Sequence, residues 1–363
     1  MLSLKQVIKL VRLWLFFSAL RDQLLHLSLE MGWWRKKNTE EADAKQKLVQ
    51  ENGEVVLEKL IEYCNGKSNP IKTFSASQIL RGTDNFSPNN SLILHATGSY
   101  QCYKGMLEDH RPVLVKKWVI KYSPCSGKTC RDISISSMVS GHKNFLKLLG
   151  CCLEFPNPVI VYEYAQSIMC REKSKYLFDV SLPWNMRLKI AKEVADALTY
   201  LHTAFSKSII HKDMIPCNIF LDGEGTAKLS GFNNSVLIPE GEKFVEDMVV
   251  EGTFGYLDHN YMATGVVTEN TDVYGFGAFM ITLLTALQPS LVVKLYKDSP
   301  IELVEDGGFV GIVDPKLLES CKEEETWQFR TFFILSLRCI GCVGEEVPKM
   351  IEVAKELKMI MLV

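Results

Sequence analysis

The sequence predicts an α+β protein in two lobes, a β-rich one followed by a helical one, with a further helix ahead of both. Three observations carry this. Residues 92–165 are strand-rich: VLVKKWVIKY (113–122) alternates and PVIVYEY (158–164) is compact and apolar. From 184 onward WNMRLKIAKEVADALTYLH (184–202) holds apolar residues at helical spacing over about five turns. Residues 38–63 set Leu48, Val55, Val56, Leu57, Leu60 and Ile61 on one broad stripe, with Glu and Lys elsewhere. A run of strands followed by a run of helices is an α+β arrangement.

Taken in order, residues 1–37 are a basic, partly apolar segment of net +5, against −2 for the whole chain. Its run LWLFFSAL (13–20) lies between Arg12 and Arg21 and is too short to span a bilayer. Met31 opens a second basic stretch with Trp33 and Trp34, which fits a frayed N-terminus and also a peripheral contact at a membrane interface. Residues 38–74 form the helical extension and a linker broken at Asn65-Gly66 and Asn69-Pro70. Ser75 stands three residues before Gln78, a helix-capping pattern. Residues 75–165 make the first lobe and 166–363 the second. The composition is ordinarily globular at 47% hydrophobic and 23% charged, and the near-neutral charge gives no case for a nucleic-acid partner. Eleven cysteines are too few for a disulfide scaffold. Cys339-x-x-Cys342 lacks the second pair that a zinc site needs, so no metal is expected and the thiols point to a reducing, cytoplasmic setting.

Residues 209–233, IIHKDMIPCNIFLDGEGTAKLSGFN, carry the most specific pattern. His211-Lys212-Asp213 with Asn218 has the spacing H-R-D-x-x-x-x-N, and Gly231-Phe232-Asn233 stands where D-F-G follows. Val113-Leu114-Val115-Lys116 takes the place of V-A-I-K. GTFGYLDHNY (252–261), TDVYGFG (271–277) and RCIGCVGEEVPKMIEVAKEL (338–357) follow in the order of an activation-segment end and the later helices. From about 75 to 363 the chain resembles the plant receptor-like kinases, cytoplasmic branch, which implies a two-lobed protein-kinase-like fold. CNGKSNPIKTFSASQIL (64–80), SGHKNFLKLLGCCLEF (140–155) and Gly231 are most similar to non-functional pseudokinase adaptors of intracellular leucine-rich-repeat immune receptors.

The chemistry that the resemblance implies is largely absent. Phosphoryl transfer needs phosphates cradled, metal held and a hydroxyl oriented. The three cradle glycines fall at His95, Thr97 and Tyr100, with only Gly98 nearby. Lys116 is kept, but its usual glutamate partner falls at Ile133; Asp132 is one residue off, about 100° around a helix, and is expected to pair poorly. Leu114 and Phe220 are larger than the family's residues and are expected to crowd a degenerate nucleotide cleft that also includes Glu163 and Tyr164. Asp213 keeps the base position and Asn218 a metal-ligand position. Gly231 removes the metal carboxylate and Ile215 the loop lysine. Losing one preorganised group costs about 10²–10³ in rate, and four are altered. Asp213 and Asn218 also fit a purely structural role, bracing the loop. Asn260 and Val347 replace both members of an ion pair, a paired loss that leaves no orphan charge. Asp272 is expected to cap the catalytic-type loop. Ser126-Gly127-Lys128-Thr129 imitates a P-loop end without its first glycine.

The expectation is therefore a pseudokinase without a working cofactor, any ATP and Mg²⁺ binding being weak. Its partners would be a leucine-rich-repeat immune receptor and other receptor-like cytoplasmic kinases or effectors. It would be cytoplasmic, with peripheral plasma-membrane contact through the N-terminus. Candidate contact surfaces are 64–80 and the activation segment, about 234–257. Ser235, Thr253 and the serines in 134–140 are candidate phosphorylation sites. The competing reading is a weakly active or ATP-binding serine/threonine kinase.

Overall fold

The computed structural model describes residues 37–64, 70–94, 99–119, 126–167, 182–290, 292, 308–319, 323–344 and 346–362. The basic segment 1–36, with LWLFFSAL and the two tryptophans, lies outside the described residues.

The first lobe is a six-stranded sheet. Its strands are β1 (Lys72–Thr73), β2 (Ser91–Leu94), β3 (Tyr100–Met106), β4 (Pro112–Trp118), β5 (Leu148–Cys152) and β6 (Val159–Glu163), in spatial order β1-β5-β6-β4-β3-β2. All pairings are antiparallel except β1 with β5. The alternation along β4 divides its side chains between two apolar layers, because strand side chains point to opposite faces. Val113 and Val115 pack with Phe74, Ile79, Phe86 and Tyr103. Leu114 and Trp118 join the larger core that continues into the second lobe. Lys116 shares that inner face, in register with Cys102 on β3 and Ile160 on β6.

Three helices complete this lobe. Helix α1 (Lys37–Cys64) runs where the stripe predicts and packs on α3 (Ser126–Val139). Val56, Leu60 and Tyr63 are among its buried residues, whereas Ile61 is exposed. Asn52, a buried polar residue absent from the stripe, donates to the carbonyls of Leu153 (2.9 Å) and Phe155 (3.0 Å). The SGKT sequence opens α3, where Lys128 pairs with Glu251 at 2.6 Å. Helix α2 (Ala76–Gly82) begins at Ser75 with a complete capping box to Gln78. Phe74 and Ile79 are buried against the sheet and Leu80 is half-buried, so packing accounts for the apolar residues of this segment.

In the second lobe, α4 (Trp184–Thr203) and α6 (Glu269–Thr285) form the centre, with α8 (Glu323–Cys339) and α9 (Met350–Ile360) packed on them. Every residue of α6 from Thr271 onward is buried, as expected of a helix apolar on all sides. Short elements lie between: β7 (Gln166–Ser167), β8 (Ile209–Ile210), β9 (Ile219–Leu221), β10 (Ala227–Leu229), β11 (Val236–Leu237), β12 (Val245–Glu246), α5 (His259–Thr264), β13 (Val266–Val267) and α7 (Pro315–Leu318). Asn260 is exposed and Val347 half-buried, so no charge is buried at either position. A buried ion pair that the motifs do not reveal holds this lobe: the Arg187 guanidinium bonds Asp314 and donates to the carbonyls of Leu182 and Leu283, both at 2.8 Å. Among the described residues, no helix is long and apolar enough to cross a membrane.

Candidate functional site

The site lies where β3, β4 and α3 of the first lobe meet the loop between β8 and β9 and the Gly231-Phe232-Asn233 turn. Asp272, at the start of α6, organises the loop. Its carboxylate accepts the backbone N–H groups of His211 and Lys212, both at 2.8 Å, and meets His202 Nε2 at 2.9 Å. This is the capping role the sequence predicts. It also holds Lys212 in a left-handed conformation (φ +66°), which a non-glycine residue keeps only when its surroundings fix it.

Lys116 and Asp132 correct the expectation of a poor pair. The ammonium sits 2.7 Å from the Asp132 carboxylate, both residues are buried, and Lys116 is not a solvated lysine. Helix α3, wedged between α1 and the sheet, turns Asp132 rather than Ile133 toward the lysine, and a shift of one residue is thereby absorbed. The other carboxylate oxygen accepts from Tyr162 (3.2 Å), Ser136 (3.3 Å) and the Phe232 backbone N–H (3.1 Å). Asp132 therefore joins helix, sheet and the Gly231 turn.

Tyr100 stands at the last cradle position, and its side chain enters the cleft. The hydroxyl donates to Asn218 Oδ1 at 2.5 Å, and Lys116 Nζ lies 3.8 Å from the ring centroid. Burial pushes the phenol well above its ordinary pKa, so it stays protonated as a donor. The neighbouring Cys102 thiol is pushed up to about 12 for the same reason. His95 and Thr97 lie outside the described residues.

On the opposite side, Asn218 Nδ2 donates to the Asp213 carbonyl (2.8 Å) and carboxylate (3.2 Å). Asp213 is buried, and its other oxygen accepts the Thr253 hydroxyl at 2.9 Å. Gly231 adopts φ +90°, and Ile215 is buried with no charge to offer. Asn233 Oδ1 lies 3.5 Å from Lys116 Nζ. Leu114 and Phe220 are buried in the core that joins the lobes. Glu163 is turned to the Lys147 N–H (3.1 Å) and to Lys228 (3.3 Å), and the ring of Tyr164 lies under Lys104. Of the predicted site residues, the fold brings Lys116, Tyr100, Asn218, Asp213 and Gly231 together.

This donor set does not fit a magnesium nucleotide. No carboxylate stands at 231, the carbonyl oxygen of Asn218 is taken by Tyr100, and an aromatic ring fills a position that phosphate binding needs bare. The sequence marks Tyr100 as an obstruction and Asp132 as a poor partner; the bond of Tyr100 across the lobes and the close Asp132 pairing emerge only from the fold.

The segment after Gly231 is held by its own side chains. Asp247 accepts from Lys212 Nζ and from the Tyr261 hydroxyl, and Glu251 is paired with Lys128. Met248, Val249 and Phe254 remain exposed. Ser235, Ser134, Ser136 and Ser137 are buried, which removes them as accessible phosphorylation candidates; Thr253 and Ser140 are half-buried.

Comparison with known proteins identifies the family and returns relatives named both as kinases and as pseudokinases. The protein kinase domain matches residues 97–300. The Arabidopsis thaliana serine/threonine-protein kinase ZRK4 is 47% identical, covering 91% of this chain and 98% of its own. From the same organism, the non-functional pseudokinase ZRK6 is 43% identical over 91% and 96%, and the non-functional pseudokinase ZED1 is 44% identical over 85% and 95%. With the catalytic-type loop, the retained lysine and the two-lobed architecture in place, the chain belongs to the protein kinase family, within the group of kinases and pseudokinases that these relatives represent.

Proposed function

We propose that this protein is a catalytically inactive pseudokinase acting as a binding adaptor in plant immune signalling, linking an intracellular leucine-rich-repeat receptor to a modified kinase or effector. One observation carries the inactivity: the cleft's polar groups are spent on each other. Lys116 is neutralised by Asp132, Asn218 is bound to Tyr100, and Gly231 supplies no carboxylate. The names of ZRK6 and ZED1 support this. A fold without its chemistry acts through contacts. The activation segment suits one of them, because Lys212, Lys128 and Asp213 anchor it without any phosphate while Met248, Val249 and Phe254 face solvent. The first lobe offers the other. The setting is cytoplasmic, with peripheral membrane contact through the basic N-terminus.

The test is co-immunoprecipitation of the full chain with a panel of leucine-rich-repeat receptors. A stable complex with at least one is expected, and a second contact that weakens on Met248→Asp/Phe254→Asp. Failure to bind any, with rescue of a kinase-dependent phenotype instead, overturns the adaptor reading. The second reading, weak serine/threonine kinase activity or ATP binding, rests on the retained Asp213 and Asn218 and on the name of ZRK4.

A further inference from the structure

We propose that Tyr100 and Gly231 are one coupled device: the phenol pins the Asn218 amide in the volume that any side chain at 231 would enter, so the two departures from a nucleotide site depend on each other. This goes beyond the adaptor reading and holds whether or not a receptor binds.

Asn218 is held from both ends, its Oδ1 by the Tyr100 hydroxyl at 2.5 Å and its Nδ2 by the Asp213 carbonyl at 2.8 Å. A Cβ built on Gly231 would lie 2.4 Å from that Oδ1 and 2.5 Å from Asn218 Cγ, well inside contact distance. The amide has nowhere to retreat while Tyr100 holds it. The ring itself is braced, with Lys116 Nζ 3.8 Å from its centroid and Trp118 edge-on at 5.7 Å. Glycine at 231 is thus required twice, by its left-handed backbone and by the pinned amide. The same bond joins β3 of the first lobe to the catalytic-type loop of the second, and it ties the lobes together without any ligand.

The test is a thermodynamic cycle of Tyr100→Ala and Gly231→Ala in the full chain, read as denaturation midpoints. The left-handed penalty for alanine at 231 is common to both backgrounds and cancels, leaving the steric coupling. Gly231→Ala is expected to lower the midpoint less in the Tyr100→Ala background than in the natural chain; equal shifts overturn the proposal. Because the alanine variants can fail to fold, Tyr100→Phe supplies a second readout. It keeps the ring and removes only the donor. Amide hydrogen exchange across 100–106 and 213–218 is expected to quicken about tenfold, as for one lost buried bond; unchanged exchange overturns the proposal.

Discussion

Asp132 settles the buried charge of the cleft. It takes the Lys116 ammonium on one oxygen and three neutral donors on the other, so its removal strands a buried cation and a backbone N–H at once. Asp132→Ala is expected to cost about 3–5 kcal/mol in urea denaturation, whereas Lys116→Met/Asp132→Leu, which removes both charges, costs much less. Asp272→Ala uncaps two buried N–H groups and is expected to lose about 1–3 kcal/mol for each, measured the same way. Restoring a carboxylate alone does not restore a metal site. Gly231→Asp drives its Cβ into Asn218, and no magnesium-dependent thermal shift with ATP is expected from that variant.

Among the elements, α1 decides how α3 is presented. Leu60 and Val56 fill the interface and Asn52 ties the helix to the chain after β5. Leu60→Ala is expected to cost about 2–5 kcal/mol by chemical denaturation. The activation segment relies on Asp247. Asp247→Asn weakens the Lys212 contact and should speed limited proteolysis within 239–251, while α1 and α4 stay protected. Local signals made much of this legible in the sequence. The α1 stripe places the helix within a residue of its observed ends, and Ser75 with Gln78 marks the start of α2, because periodicity and capping are written in neighbouring residues. The alternation of β4 likewise puts Lys116 on the inner face. What stayed hidden depends on the rotation of one helix against a sheet. Asp132 reads as misplaced when counted along the chain, yet the packing of α1 on α3 turns it to the lysine. Tyr100 reads as bulk, because its bond to Asn218 spans 118 residues and has no local trace. The Arg187–Asp314 pair spans more still, 127 residues.

At the scale of the molecule, two lobes of the protein kinase family meet at a cleft whose lysine, aspartates and asparagine satisfy one another. An apolar core continuous from α1 to α9 and the Tyr100–Asn218 bond hold the lobes in one arrangement. On the adaptor reading proposed above, that arrangement leaves the surfaces of both lobes to act through contacts. The most direct measurement is transfer of labelled γ-phosphate from magnesium ATP, to itself and to a generic protein substrate, beside the Asp213→Asn variant. Incorporation equal to that of Asp213→Asn, at background, is the expected result. Incorporation above background that Asp213→Asn abolishes contradicts the closed-cleft account.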